Sequence, residues 1–550
     1  MTEPGVPTRL SQPSAHHRGR TVGIVSILTV VVAAFGYFRE AALAARFGLS
    51  TTMDAYFAAI FVPTIVYMVL IAGTLSPLFI PILLQADESG DRDKLSETFS
   101  VVTSFVLLFL IAIVSCAMIT AHQWLGLLFP GFSAPTMAVS VRLIYIIFPS
   151  VLFVALAGLL TAVLNGFHKF ALAAFAPALS SVAVVAAALL ARGEKAIDIV
   201  GIATAVGFLL QFLLLVPATA YLGIRYRPLL RFKHPAITKL LRVGGPLLLY
   251  LVVANGSLFL ERNLASRLAT GAVSTLTYAM RLFVVPANFL AAPLAIVSYP
   301  QFAREAASEG HGDLRSQVSR MFRLVVFLFL PVTVWTIFNA LPITRLLYER
   351  GQFQRGDSLI TSRALMFYGI GILPNAIAVI LLRCFYAVQD TVTPLVAEIV
   401  NLVFYAIVAI LLSRYFGVAG LAGARGLSFF LVTAILIFVL WRKKHLLTVG
   451  PAFLPFFLRT ALACAAMTAV NGISLRLLQS WFDSGKTPLR LAIICVLVAI
   501  SGSVFLGMAR LLKLEEGTHI MATVRQLLPG AANPVSEDNV PVPAIRGESL

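Results

Sequence analysis

Runs of about twenty apolar residues, separated by short polar breaks, recur along the chain from Thr21 almost to its carboxyl end. A helix of that length crosses the ~30 Å hydrocarbon layer of a bilayer. The pattern predicts an all-α, polytopic membrane protein with about fourteen transmembrane helices. The first span, 21–38, has no small-residue cleavage site and reads as a retained helix rather than a signal peptide. Later spans include 55–85, 243–267, 272–303, 391–413 and 416–441. The polar breaks set the expected organisation. A polar amino terminus (1–20) precedes an amino-terminal lobe of six helices (21–221), a basic connecting loop (222–242) and a carboxyl-terminal lobe of six more (243–441). Two additional helices (453–512) and a partly disordered tail (513–550) complete the chain.

Charge then fixes the expected sidedness. The 550 residues are 59% hydrophobic and 12% charged, with a net charge of +18. In a soluble protein that excess would point to nucleic acid; in this chain it reads as basic loops retained on the cytoplasmic side. With the amino terminus inside, the 222–242 loop (Arg225, Arg227, Arg231, Lys233, Lys239, Arg242), the Arg304–Arg323 connection and Arg442-Lys443-Lys444 all fall inside. An even helix count returns the carboxyl tail there too. The outward 341–359 loop, with Arg345, Arg350 and Arg355, is the exception. Cys116, Cys384, Cys464 and Cys495 sit in apolar spans without disulfide or metal-site spacing and read as packing residues.

Charged residues inside the apolar runs carry the candidate chemistry. A charge near the bilayer centre costs at least roughly 2.5–3.5 kcal/mol, so such a residue faces a polar cavity or a partner. Arg281 lies about nine residues into its span, roughly 13 Å deep at 1.5 Å per residue, too far to snorkel easily. A cationic cavity implies an anionic cargo, and the planar guanidinium fork suits phosphate; a hydrogen bond to helix carbonyls is the alternative. Glu261 and Arg262 are adjacent, so their side chains diverge by about 100° on a helix. Glu261 reads either as a proton or cation site that couples transport, or as a structural partner of Arg39 or Arg281. Arg39 reads as a cleft residue or an interface anchor, with Glu40 a nearby acid. Asp54 has the position of a helix N-cap, with a gating or cargo contact as the sharper reading. Pro63, Pro77, Pro286 and Pro300 are hinge candidates, weighed against simple packing kinks.

An internal echo supports two lobes. Arg39, Ala42, Gly48, Thr52, Pro63 and Pro77 each have a twin 223 positions later: Arg262, Ala265, Gly271, Thr275, Pro286 and Pro300. Six spans separate the copies, which fits parallel repeats: two pseudo-symmetric lobes around a central cleft that holds the cargo.

Several stretches resemble the MviN/MurJ family of lipid II flippases. They are the run from Gly36 to Gly48 (GYFREAALAARFG), followed by Asp54 and Pro63; Leu164 to Phe170 (LNGFHKF); Leu260 to Ser266 (LERNLAS); Tyr278 to Leu282 (YAMRL); Leu346 to Phe353 (LLYERGQF); and Phe385 to Pro394 (FYAVQDTVTP). The resemblance implies a fold of the multidrug/oligosaccharidyl-lipid/polysaccharide exporter type in the bacterial inner membrane. It implies alternating-access transfer of an undecaprenyl-pyrophosphate-linked saccharide between leaflets, with Arg39, Arg262 and Arg281 holding the head group and Glu40, Asp54 and Glu261 nearby. Membrane lipid and enzymes of cell-wall or polysaccharide synthesis are the implied partners. The second helix reads Pro63-Thr-Ile-Val-Tyr67-Met68, without the paired arginines common in that family. An exopolysaccharide repeat unit on the same carrier is therefore the alternative cargo, and a drug or cation antiporter of the same superfamily the more distant one.

An enzyme is the least favoured class. The outer loops are all under about 20 residues and hold no paired carboxylates or His cluster. There is no Gly-rich Lys-Ser/Thr phosphate loop for ATP. The expectation is a transporter without catalytic residues, metal or cofactor, driven by a monovalent cation or proton gradient, by membrane potential or by consumption of product.

Overall fold

The computed structural model describes residues 15–67, 92–307, 312–447 and 453–517. Among these residues regular structure is helical, with an isolated bridge between Arg350 and Phe353. The first half comprises α1 (Ala15–Phe47), α2 (Thr51–Tyr67), α3 (Arg92–Ile119), α4 (Ala121–Leu128), α5 (Ala134–Ile147), α6 (Ser150–Gly166), α7 (Phe170–Phe175), α8 (Ala178–Leu190) and α9 (Ala196–Tyr221). The second half begins with α10 (Pro235–Ser266), α11 (Ala272–Pro286), α12 (Ala292–Ala307) and α13 (Gly312–Phe338). It continues through α14 (Ala340–Tyr348), α15 (Arg355–Gly369), α16 (Ile372–Ala387) and α17 (Val392–Phe438), and two final helices follow, α18 (Phe453–Ser484) and α19 (Thr487–Leu511).

Among the described residues nine helices are long and apolar enough to cross a membrane, or up to eleven if each of two bent pairs, α5–α6 and α15–α16, is one span. The expected count of fourteen is not confirmed among the described residues. The 55–85 span and Pro77 fall partly or wholly outside the described residues. The spans expected at 391–413 and 416–441 form one 52-residue run, Val392–Lys443. Such a run would be roughly 78 Å long if straight, more than twice the hydrocarbon thickness. It is not straight: the backbone leaves helical geometry at Gly417 (φ 56°, ψ −129°).

The sequence also ends the first helix too early. α1 continues nine residues past position 38, to Phe47. The stretch REAALAARF consists largely of strong helix formers, and its adjacent Arg39 and Glu40 offset each other's charge, so nothing stops the helix before Gly48. Gly48 (φ 58°) and its twin Gly271 (φ 84°) both take the left-handed conformation that glycine adopts at little cost. Each joins a long helix to the next, α1 to α2 and α10 to α11, so the sequence echo corresponds to a repeated helix–glycine–helix corner.

Within the first half α1 packs on α7 and α8, α2 on α5, and α6 on α9; within the second, α10 packs on α17, α11 on α15, and α16 on α12 and α13. The halves meet where α2 touches α11, α1 touches α14, and α10 touches α3 and α4. Two ends of the bundle can be distinguished. One carries the Gly48 and Gly271 corners. The opposite end carries Arg225, Arg227, Arg231, Arg442, Lys443 and Lys444.

At that basic end the loop after α9 is strapped to α3. The N–H groups of Arg225, Arg227 and Leu229 donate to the hydroxyls of Ser96, Ser100 and Ser104 at 3.3, 2.9 and 3.2 Å. The spacings match: two extended residues advance about 6.6 Å, and four helical residues about 6 Å. Ser100→Ala should remove the hydroxyl that holds the Arg227 N–H, at a residue that is itself exposed, costing about 0.5–1.5 kcal/mol locally. Hydrogen exchange at residues 225–229 is then expected to accelerate by up to roughly tenfold, whereas unchanged exchange would show that the strap is held by other contacts.

At the other end α18 and α19 are clamped to the second half. Arg345 of α14 pairs with Asp483 and with Glu349 (2.9 Å), and Arg490 with Glu349 (3.3 Å). The Phe482 ring lies between the two guanidiniums at 5.2 and 5.5 Å. Of the basic residues in the 341–359 segment, Arg345 is thus neutralised in place.

Candidate functional site

Arg39 and Arg281, far apart in sequence, converge on one carboxylate. Arg39 lies eight residues before the end of α1 and Arg281 nine residues into α11, so both sit roughly 12–14 Å from the glycine corners. Glu40 Oε1 lies 2.8 Å from Arg39 Nη2 and 3.4 Å from Arg281 Nε. Glu40 is 2% exposed and its Oε2 has no partner, whereas the Arg281 side chain is 43% exposed. Tyr37 donates its hydroxyl to the Arg281 carbonyl at 3.2 Å, tying α1 to α11 beside the cluster. Arg39, Glu40 and Arg281 line a cavity of about 80 Å³ together with Tyr56, Phe61 and Thr277.

Arg262 borders the same cavity but is committed elsewhere. It is buried, and its Nη1 donates to the Val273 carbonyl (2.9 Å) and the Thr277 hydroxyl (2.8 Å). Its guanidinium lies 5.7 Å from the Phe61 ring centroid. Its Nη1 is used in fastening α10 to α11, while its buried Nε has no hydrogen-bond partner. Arg39 therefore meets the cleft, while its repeat twin mainly holds the corner together.

Asp54 caps a helix, but not its own. The start of α2 is served by Ser50, whose hydroxyl accepts the Met53 N–H at 3.2 Å. Asp54 crosses to α11 in the other half, accepting from the Gly271 N–H (2.7 Å), the Ser274 N–H (2.8 Å) and the Ser274 hydroxyl (2.7 Å). A carboxylate at a helix N-terminus meets both orphan donors and a favourable dipole. The contact pins the first half to the second between the cavity and the corner end.

Aromatic rings close the same end. Tyr278 sits against Phe57 (5.4 Å between centroids), Tyr348 (4.9 Å) and Phe353 (5.8 Å), all buried. Over them the turn after α14 docks on α1: the Gln352 N–H donates to the Ala45 carbonyl at 2.8 Å. Gly351 makes this approach possible, since a Cβ there would lie 2.2 Å from the Ala45 oxygen. Gly351→Ala should therefore prevent this end from closing. Cysteines at positions 45 and 352, cross-linked readily by a short bifunctional thiol reagent in the parent, are expected to lose most of that cross-linking; full retention would contradict the account.

Glu261 pairs with neither Arg39 nor Arg281. It is fully buried against Arg425 of α17 (3.1 Å) and accepts from the Tyr405 hydroxyl at 3.3 Å. Arg425 escaped the sequence reading, although an arginine within an apolar run is the same signal that singled out Arg281. Pro63, Pro286 and Pro300 lie within helices, and a π-helical turn, Ala287–Ala291, follows Pro286 directly. Among the described residues no group of His, Cys, Asp and Glu is placed to hold a metal ion, and the four cysteines are free.

The family model described as "Lipid II flippase MurJ" matches residues 43–508. A Burkholderia cenocepacia protein named "Lipid II flippase MurJ" is 28% identical over 513 residues, covering 89% of this chain and 96% of the relative. A "Probable lipid II flippase MurJ" of Vibrio cholerae is 28% identical over 480 residues, covering 84% and 90%. Among solved structures, "Lipid II flippase MurJ, inward closed conformation" superposes with a TM-score of 0.75 at 22% identity, covering 88% of this chain and 98% of that one. An inward-facing multidrug transporter of the MATE family and MOP superfamily gives 0.62 at 14% identity, covering 76% and 98%. These two structures show the fold.

Proposed function

Because the chain belongs to the lipid II flippase MurJ family, we propose that it carries lipid II, a polyprenyl-pyrophosphate-linked saccharide, between the leaflets of the bacterial inner membrane by alternating access. It is a transporter rather than an enzyme. The observation that carries the reading is the convergence of Arg39 and Arg281 on Glu40 at a cavity between the two halves.

Glu40 stands in for the anion and keeps two guanidiniums close together. The Arg281 fork, bonded to Glu40 only at a longer distance, retains donors for an incoming pyrophosphate, which can accept several charge-assisted bonds at once. The cavity of about 80 Å³ holds two or three waters and no sugar head group. This state is closed, and cargo entry requires the halves to part. By the positive-inside rule the basic end, with its strapped loop, faces the cytoplasm and both termini lie there. The corner end, sealed by Asp54, the aromatic rings and the Gly351 turn, then faces outward. Entry begins from the basic side, and release follows when the Asp54 cap on α11 gives way. Pro63, Pro286 and Pro300 interrupt the backbone bonding of helices next to the cleft, where such bending would be absorbed.

The polyprenyl tail stays in lipid during transfer. A trough of about 690 Å³ between α13 and α18, lined by Leu330, Phe338, Phe457 and Ala465 with Arg476 at one end, offers an apolar surface for it.

Complementation tests the cargo. In a strain depleted of its peptidoglycan flippase, this protein is expected to restore growth and lipid II export. Failure, coupled with loss of exopolysaccharide when the gene is removed from its host, would move the assignment to a repeat unit on the same carrier.

A further inference from the structure

Glu261 is a fully buried carboxylate on α10, and its neutralisation shapes the second half of the bundle. An uncompensated carboxylate in a membrane interior is too costly to persist, so it takes a proton, a bound cation or a cationic side chain. Arg425 supplies the last. Its Nε and Nη2 both approach Glu261 Oε2 at 3.1 Å, its Nη1 donates to the Ser257 hydroxyl, and its guanidinium stacks 4.6 Å from the Tyr405 ring centroid. Glu261 and Ser257 belong to α10, Tyr405 to α17 before its break at Gly417, and Arg425 to α17 after it. One guanidinium therefore ties three helical segments together.

The surroundings are richer in oxygen than a guanidinium needs. Glu261 Oε1 and the neighbouring Tyr368 hydroxyl are buried without hydrogen-bond partners, as are the Asn401 Oδ1 and the Ser428 hydroxyl, one helical turn from Tyr405 and Arg425 respectively. A carboxylate among unpartnered carbonyl and hydroxyl oxygens is the donor set of a monovalent metal cation. With Arg425 in place, and Arg262 the next residue after Glu261, a second cation would meet strong like-charge repulsion in a medium that screens poorly.

We propose that Arg425 is a built-in counter-cation occupying the position beside Glu261 that a monovalent metal ion would otherwise fill, so that this half of the protein holds its helices without a bound ion. Its loss would turn the same oxygens into a cation site. Glu261, a coupling candidate by sequence, is then a fixed structural anion, and no sodium or potassium gradient acts through it.

Thermal unfolding of the purified full-length protein in detergent tests this without any lipid cargo, so the result is independent of the assignment to lipid II. Unfolding is followed in sodium, potassium and choline chloride at equal ionic strength. The parent protein is expected to show the same Tm in all three, within about 1 °C. Arg425→Ala should lose roughly 5–10 °C in choline, and should regain much of it saturably with sodium or with non-denaturing guanidinium, which refills the vacated position. Arg425→Lys keeps a side-chain charge and should stay indifferent to the salt. Saturable stabilisation of the parent by sodium or potassium would overturn the proposal, and that measurement needs no variant. So would an Arg425→Ala protein whose Tm equals the parent's in every salt, or one that is destabilised and recovers with none of the ions.

Discussion

Arg281→Ala is expected to lower the rate of lipid II translocation in proteoliposomes by roughly 30- to 100-fold. That figure follows from losing charge-assisted hydrogen bonds worth about 2–3 kcal/mol, at about 1.4 kcal/mol per factor of ten. The variant should insert and fold normally, because the Arg281 side chain is 43% exposed and its contact with Glu40 of α1 is the longer of that carboxylate's two ion pairs. Removing it leaves Glu40 paired with Arg39. Arg262→Ala should differ in kind. It strips the Val273 carbonyl and the Thr277 hydroxyl of a buried donor, so lost transport should come with lowered stability. A loss of activity with unchanged Tm in the first variant and a lowered Tm in the second would separate cargo binding from corner fastening. Equal activity of Arg281→Ala and the parent would remove the anion cleft from the mechanism.

Asp54→Ala should shift the conformational balance. It deletes three hydrogen bonds across the halves, two of them to the N-terminus of α11. The closed state should lose about 3 kcal/mol relative to one open at the corner end, a change of roughly 100-fold in the equilibrium. The readout is a single cysteine at position 60, which borders the cavity, in a background with the four native cysteines replaced. In the Asp54→Ala background it should react with a membrane-impermeant thiol reagent added from outside, and in the parent it should be protected. Equal protection would show that the cap does not hold the gate.

The helical class was legible because hydrophobic run length is a direct consequence of bilayer thickness. The repeat was legible for a similarly physical reason: Gly48 and Gly271 are both held at positive φ, so the two corners share a residue requirement as well as a shape. Arg39 and Arg281 stood out as charges in apolar surroundings. Their meeting at Glu40 did not, because sequence gives depth along a helix but not which helices face each other. Asp54 illustrates the same limit. A capping residue is visible in sequence, yet the capped helix begins 218 positions later, at Ala272. Glu261 reads from sequence as a coupling site or as a partner of Arg39 or Arg281; its partner in the structure, Arg425, lies beyond a break that brings a distant segment alongside α10. The apolar run stops at position 38 but α1 continues to Phe47, because Arg39 and Glu40 offset one another inside the bundle.

The central claim is that paired guanidiniums recognise a pyrophosphate at the cleft between the halves. Equilibrium binding of the saccharide-free carrier lipid as its pyrophosphate and as its monophosphate, to parent and Arg281→Ala protein, tests it most directly. The account predicts that the parent prefers the pyrophosphate by at least about tenfold and that the preference collapses in the variant. Equal affinity for both lipids in the parent, or a preference that survives the substitution, would contradict it.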